Sequence, residues 1–372
     1  MPGTGKYPDK RAALDDTETH TTDLESIHLQ VKGRNSRGEF ELESIDARSL
    51  LDEGNYAMSE ERHDDAIRHY ERLLTVFPDS RLAPTALYNM GLALEGKGEY
   101  DAAIVKYGIL ARDKTRDRDS IDAHLRIASV QAELERWNES HQTLVEVLAR
   151  SDLTHSDRIE GLARLGYATL ERGDQAAAEA VLHQAVEYYK HLTTGLDTNY
   201  FVAMSYYYLA QIPHRQFRTL PMRPPEDQLK IDLDAKAELV ARAYDRYLQS
   251  LQVQNAYWAT AAGYQMSEIY KELWNDVVLA PLPAGLSAQA RQLYMEEIHQ
   301  RAREFLERAM NGHSRNIQLA EAYKTTTAWS NASRRRTIEL AAILARESSG
   351  ELVTPERKKI PVPQYIPARI DL

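Results

Sequence analysis

Residues 47–80, ARSLLDEGNYAMSEERHDDAIRHYERLLTVFPDS, decide the fold. They read as two short helices joined by a tight turn. Gly54 sits in the middle of the first, Ala66 and Tyr70 stand one turn apart on the second, and Pro78 ends it. Such a pair cannot bury its own apolar face, so it predicts further copies stacked beside it.

The copies follow. PTALYNMGLALEGKGEYDAAIVKYGILARDK, from Pro84, puts Gly91, Ala103 and Tyr107 where the first unit has Gly54, Ala66 and Tyr70. IDAHLRIASVQAELERWNESHQTLVEVL offers Ala128, Ser140 and Leu144, and IEGLARLGYATLERGDQAAAEAVLHQAVEYY offers Gly166, Ala178 and Leu182. From Ala66 the small residues of the second helices recur at steps of 37, 37 and 38 residues. The requirement is steric: a small residue lets neighbouring backbones approach, and a large side chain fills the space beside it. Gly98 and Gly173 are expected to end first helices in the left-handed conformation. Tyr100 and Trp137 should open second helices with a buried ring, and Asp79–Ser80 and Ser156–Asp157 read as N-caps.

Those positions resemble the tetratricopeptide repeat family, with units at 47–80, 84–117, 121–154 and 159–192. FPDSRLAPTALYNMG is similar to a bacterial cell-envelope subset with lengthened repeats, such as the β-barrel assembly lipoprotein and the Tol–Pal coordinator. The resemblance implies an all-α, right-handed superhelical solenoid of antiparallel helix pairs that binds proteins without catalysis, cofactor or metal. In peptide-clamping members of the family, lysines, asparagines and an arginine hold a partner's C-terminal carboxylate. Asn55, Asn89 and Arg126 match three of those positions, whereas Leu51 and Asp122 stand where the two lysines belong, which speaks against a carboxylate clamp.

After residue 192 the pattern stretches. Two long, divergent pairs are expected over 193–311, the first interrupted by PHRQFRTLPMRPPEDQL, a Pro- and Arg-bearing loop at 213–229. Loops of that length are commonly functional, so Arg215, Arg218 and Arg223 become candidate partner contacts. Ala243 and Tyr247 repeat the small-then-aromatic spacing. Tyr206, Tyr207 and Tyr208 point about 100° apart on a helix, so at least one should face a binding groove. The long C-terminal part also resembles tetratricopeptide proteins of gliding myxobacteria. Residues 312–348 read as two capping helices, 314–329 and 332–348, with Arg334–Arg336 as a solvated run. Residues 349–372 read as an extended, Pro-rich tail. Residues 1–46 read as disordered or weakly structured, with a marginal hairpin over 27–42 as the alternative.

Composition excludes several functions. The net charge is −10 with Lys and Arg scattered, against nucleic acid as a partner. There are no cysteines for disulfides or thiol chemistry. GTGK at 3–6 lacks the spacing of a phosphate loop, the histidines lack zinc-hydrolase spacing, and the acidic loop at 111–122 lacks the Gly and closing Glu of a calcium loop. Neither a signal peptide nor a transmembrane segment is read. A signal sequence upstream of Met1 would place the chain in the envelope or periplasm; otherwise the cytoplasm is expected. The expected function is a non-enzymatic scaffold that binds an extended peptide or helix in its groove and assembles an envelope or motility complex. A self-associating structural subunit and a cytoplasmic adaptor are the alternatives.

Overall fold

The computed structural model describes residues 28–34, 37–113, 117–193, 195–196 and 198–355. GTGK and the tail beyond 355 lie outside the described residues. Contacts divide the chain into two compact bodies, with the boundary after Asp157.

The N-terminal body opens with a hairpin, β1 (His28–Arg34) against β2 (Phe40–Ile45), in antiparallel register with a bulge between Val31 and Gly33. This corrects the expectation of disorder over 28–45. Ile45 is buried in the same apolar cluster as Leu50 and Tyr70, which ties the hairpin to the first helix pair. Three pairs follow: α1 (Ala47–Ser59) with α2 (His63–Val76), α3 (Ala83–Gly96) with α4 (Tyr100–Ala111), and α5 (Asp117–Glu133) with α6 (Trp137–Leu148).

The packing explains the periodic small residues. A Cβ on Gly54 would come within 3.0 Å of the Tyr70 ring, one on Gly91 within 3.0 Å of the Tyr107 ring, and one on Gly166 within 3.0 Å of Leu182. Ala66, Ala103 and Ala178 are fully buried. In the third unit Ser140 takes the alanine's place and donates its hydroxyl to the Ala128 carbonyl at 2.8 Å. The turn after each first helix carries one left-handed residue: Glu61, Gly98, Glu135 and Gly173 have φ of 57°, 79°, 55° and 92°. The two glycines meet that requirement without strain, as the sequence predicts, and the two glutamates do so at a cost. Tyr100 and Trp137 are only half-buried.

The C-terminal body begins in α7 (His155–Glu171), which pairs with α8 (Gln175–Lys190). Thr154, not Ser156, caps α7: the Asp157 amide donates to Thr154 Oγ1, and the Asp157 carboxylate accepts from the Thr154 amide at 3.0 Å. Next come α9 (Tyr200–Thr219), α10 (Glu226–Gln252), α11 (Ala256–Val278), α12 (Ala288–Ala322) and α13 (Ala328–Ser348).

Two expectations fail here. α9 runs through Pro213 to Thr219, so the 213–229 loop shrinks to 220–225. His214 and Phe217 are fully buried, and that anchorage outweighs the roughly 3 kcal/mol that an internal proline costs a helix. α12 continues through Asn311–Gly312, so 314–322 is its last part rather than a separate cap, and α13 alone closes the stack. Gly312 serves close approach rather than a turn. A Cβ there would crowd Ser267, just as one on Gly263 would crowd Asn316. The break falls at 323–327, where Thr327 and Ser330 form a capping box.

Gly91→Ala should destabilise the fold by about 1–3 kcal/mol through overpacking against Tyr107. A Cβ on Gly108 would meet only the tip of Arg112 at 3.5 Å, so Gly108→Ala should gain roughly 0.5–1 kcal/mol of helix propensity. Urea melts of both variants check the contrast in sign.

Candidate functional site

In the N-terminal body α1 and α5 both neighbour α3, and three of the predicted residues on them meet partners. Asn55 is exposed, and its Oδ1 accepts from the Tyr70 hydroxyl at 2.8 Å and from Asn89 Nδ2 at 2.9 Å. Tyr56, the next residue, is 62% exposed but points about 100° away, with the Arg62 guanidinium over its ring at 5.5 Å. Asn89 is buried and acts as the strut beneath. Arg126 is also buried and spans both Glu95 oxygens at 2.7 Å, while the Tyr107 hydroxyl donates to the same carboxylate at 2.6 Å. Burial opposes the charge on Arg126, and Glu95 more than restores it, leaving its pKa well above the ordinary value. Its charge is therefore committed inside the protein. Asp122 pairs with Arg118, which also binds Asp157. Asn55 is the one of these three open to a ligand.

A shallow groove of about 460 Å³ lies on the other side of this body, between α2, α3 and α4. Ile67, Met90 and Leu94 line its floor. At its rim Lys97 bridges Asp64 and Glu99, each at 2.7 Å, and Arg68, Lys106 and Glu71 also line the groove, so its cations and acids balance.

The C-terminal candidates are mostly internal. Tyr207 and Tyr208 are buried among Tyr247, Trp258 and Trp329, so they fill the core rather than front a groove. Tyr206 alone of the three is half-exposed. Arg215 pairs with Glu171, Arg218 with Glu272 at 2.8 Å, and Arg223 with Asp232 at 2.6 Å. Arg336, expected in solvent, is buried and spans both oxygens of Glu268 at 2.6 Å.

These pairs converge on a feature the sequence reading missed. Glu268, Glu272 and Asp276 fall one helical turn apart along α11 and meet cations from four other helices. Glu268 takes Arg336 and His313, Glu272 takes Arg218 and His214, and Asp276 takes the buried Lys236. A run of acids at i, i+4 and i+8 in a largely buried helix was the available signal. His214 is satisfied on both nitrogens: Nδ1 accepts from the Tyr247 hydroxyl at 2.9 Å, and Nε2 donates to Glu272 at 3.0 Å. Gln211 in turn donates to Tyr247 at 2.6 Å. Among the described residues no group of three acidic or histidine side chains is placed to hold a metal, and no helix is long and apolar enough to cross a membrane.

No family model matches the chain, and no curated protein matches it. Similar solved structures include PilF of Pseudomonas aeruginosa, 12% identical with a TM-score of 0.43, covering 80% of this chain and 97% of that one. A tetratricopeptide repeat protein from Parabacteroides merdae is 12% identical with a TM-score of 0.38, covering 79% and 98%. MamA from Desulfovibrio magneticus is 14% identical with a TM-score of 0.36, covering 53% and 94%. The repeat architecture stands on this chain's own Gly–Tyr and Gly–Leu packing.

Two outcomes follow from these ion pairs. Glu95→Gln or Arg126→Met alone should cost about 3–5 kcal/mol by stranding a buried charge, and the double variant should cost clearly less than the two summed; denaturant melts provide the cycle. The second concerns acid. Burial raises the Glu272 pKa, but His214 and Arg218 outweigh it and hold it at about 2, below its ordinary value of 4.5. Burial also holds His214 below 6.5, against the pull of Glu272. Both groups bind fewer protons folded than unfolded, so each stabilises at neutral pH. His214 loses its share as pH falls below 6.5, and Glu272 as pH falls from 4.5 towards 2. Asp276, raised by burial against the effect of Lys236, acts with the opposite sign. Glu272→Gln should flatten the acid limb below 4.5 in melts recorded against pH.

Proposed function

We propose that the chain is a non-enzymatic protein-binding scaffold that takes an extended peptide or helix on the face formed by α1, α3 and α5. One observation carries this reading. Asn55 is held rigid by Tyr70 and Asn89, yet stays exposed on α1. A preorganised, exposed amide suits backbone hydrogen bonding to a partner. Arg126 supports this face without contributing a free charge, so selection of a C-terminal carboxylate is not part of the proposal. Tyr206 is the corresponding open aromatic of the C-terminal body, whereas Arg215, Arg218 and Arg223 serve the fold.

A role in assembling a bacterial envelope or motility complex is supported by the resemblance of FPDSRLAPTALYNMG to the lengthened-repeat envelope subset. A signal sequence upstream of Met1 would favour the envelope over a cytoplasmic adaptor role.

Crosslinking mass spectrometry in the native cell should map partner peptides to α1, α3 and α5. Asn55→Ala should remove those crosslinks with helicity retained, at a stability cost of about 1–3 kcal/mol because the Tyr70 hydroxyl and Asn89 lose their acceptor. Crosslinks that persist at full yield would overturn the assignment of this face.

A further inference from the structure

Two outer helix faces of the C-terminal body are complementary. On α10, Ala237, Ala241, Tyr244 and Leu248 recur at i, i+4, i+7 and i+11, the spacing of one helical stripe, and all four are exposed. Leu233 extends the stripe, and Tyr244 meets Tyr270 of α11 edge-on at 6.3 Å. Along one margin runs an acidic row, Asp227, Asp234, Glu238 and Asp245, at i, i+7, i+11 and i+18, also exposed. Among the described residues, Asp234 and Glu238 are in no ion pair.

α13 carries the converse. Ile338, Ala342 and Ala345 form an exposed stripe, and Ile338, at 74% exposure, is the most exposed large apolar side chain described. Arg335 and Arg346 flank it eleven residues apart, hence on one side, and Arg334 borders the other. Arg346 is met by Glu351 and Arg334 by Glu321 at 3.6 Å, while Arg335 is in no ion pair among the described residues. A helix closing a repeat stack is expected to turn a polar side outward. This one turns out a small-residue seam with a large apolar side chain at its N-terminal end.

We infer that the outer face of α13 docks on the outer face of α10 of a second copy of this chain. Alanines at the centre of both stripes let the helix axes approach closely. With the helices antiparallel, Ile338 then fits between Tyr244 and Leu248, Arg335 lies beside Asp245, and Arg346 is level with Glu238. The two faces differ, so the contact is heterologous. Each added copy leaves one α13 and one α10 face open, and the assembly extends as a chain or closes as a ring. The α13 stripe, from Arg335 to Arg346, is about 17 Å long. One such helix contact is smaller than the standard interface of about 800 Å² per partner, so association should be micromolar or weaker and sensitive to salt. This rests on observations separate from the α1–α3–α5 face.

Sedimentation velocity of the full chain tests it. The average mass should rise with concentration at low salt and fall back at about 1 M salt, where screening acts within about 3 Å. Ile338→Glu and Leu248→Glu should each weaken association about tenfold or more while circular dichroism stays unchanged. Mixed, the two variants should form a one-to-one dimer that grows no further, because each keeps the face the other has lost. Arg335→Glu should weaken association, and adding Asp245→Arg in the same chain should restore it. A wild-type monomer at every concentration would overturn the inference. So would a concentration-dependent mass that neither single variant alters, or mixed variants that both remain monomeric.

Discussion

Every helix pair in the first four units depends on one steric constraint: two backbones must come close enough that a methyl group cannot fit between a first helix and the large side chain opposite. Gly54 against Tyr70, Gly91 against Tyr107 and Gly166 against Leu182 are three statements of it. Once that approach is fixed, the alanine or serine four residues before the large side chain is forced to be small and buried. The third unit shows how the constraint bends. There Ala128 replaces the glycine, Leu144 the tyrosine, and a serine hydroxyl caps a carbonyl of the facing helix.

This is why the first half of the fold was readable from residues alone. Close approach demands particular residues at particular spacings, and the demand recurs. The C-terminal half obscured itself because the same residues there serve other purposes. Pro213 and Gly312 look like punctuation, yet both lie inside helices. His214 and Phe217 pin the segment after the proline, and Gly312 is a notch for Ser267. The hairpin over 28–45 was hidden for a milder reason: its alternation is weak, and the burial of Ile45 beneath α1 is invisible to local pattern.

The candidate site was half legible. Asn55 and Asn89 were found by position, and they do meet. That Arg126 spends its charge on Glu95, or Arg218 on Glu272, depends on partners 31 and 54 residues away in sequence. No spacing rule predicts a pair of that kind. The tyrosine run misled for a related reason: Tyr207 and Tyr208 sit where α9 is enclosed by later helices, so both point into protein.

The paired notches of α11 and α12 have a mechanical corollary. Gly263 receives Asn316 and Gly312 receives Ser267, so each helix carries both a key and a slot for the other. Sliding by one residue, about 1.5 Å, would lift both keys onto neighbouring side chains at once. The pair therefore has a discrete register rather than a continuum of offsets.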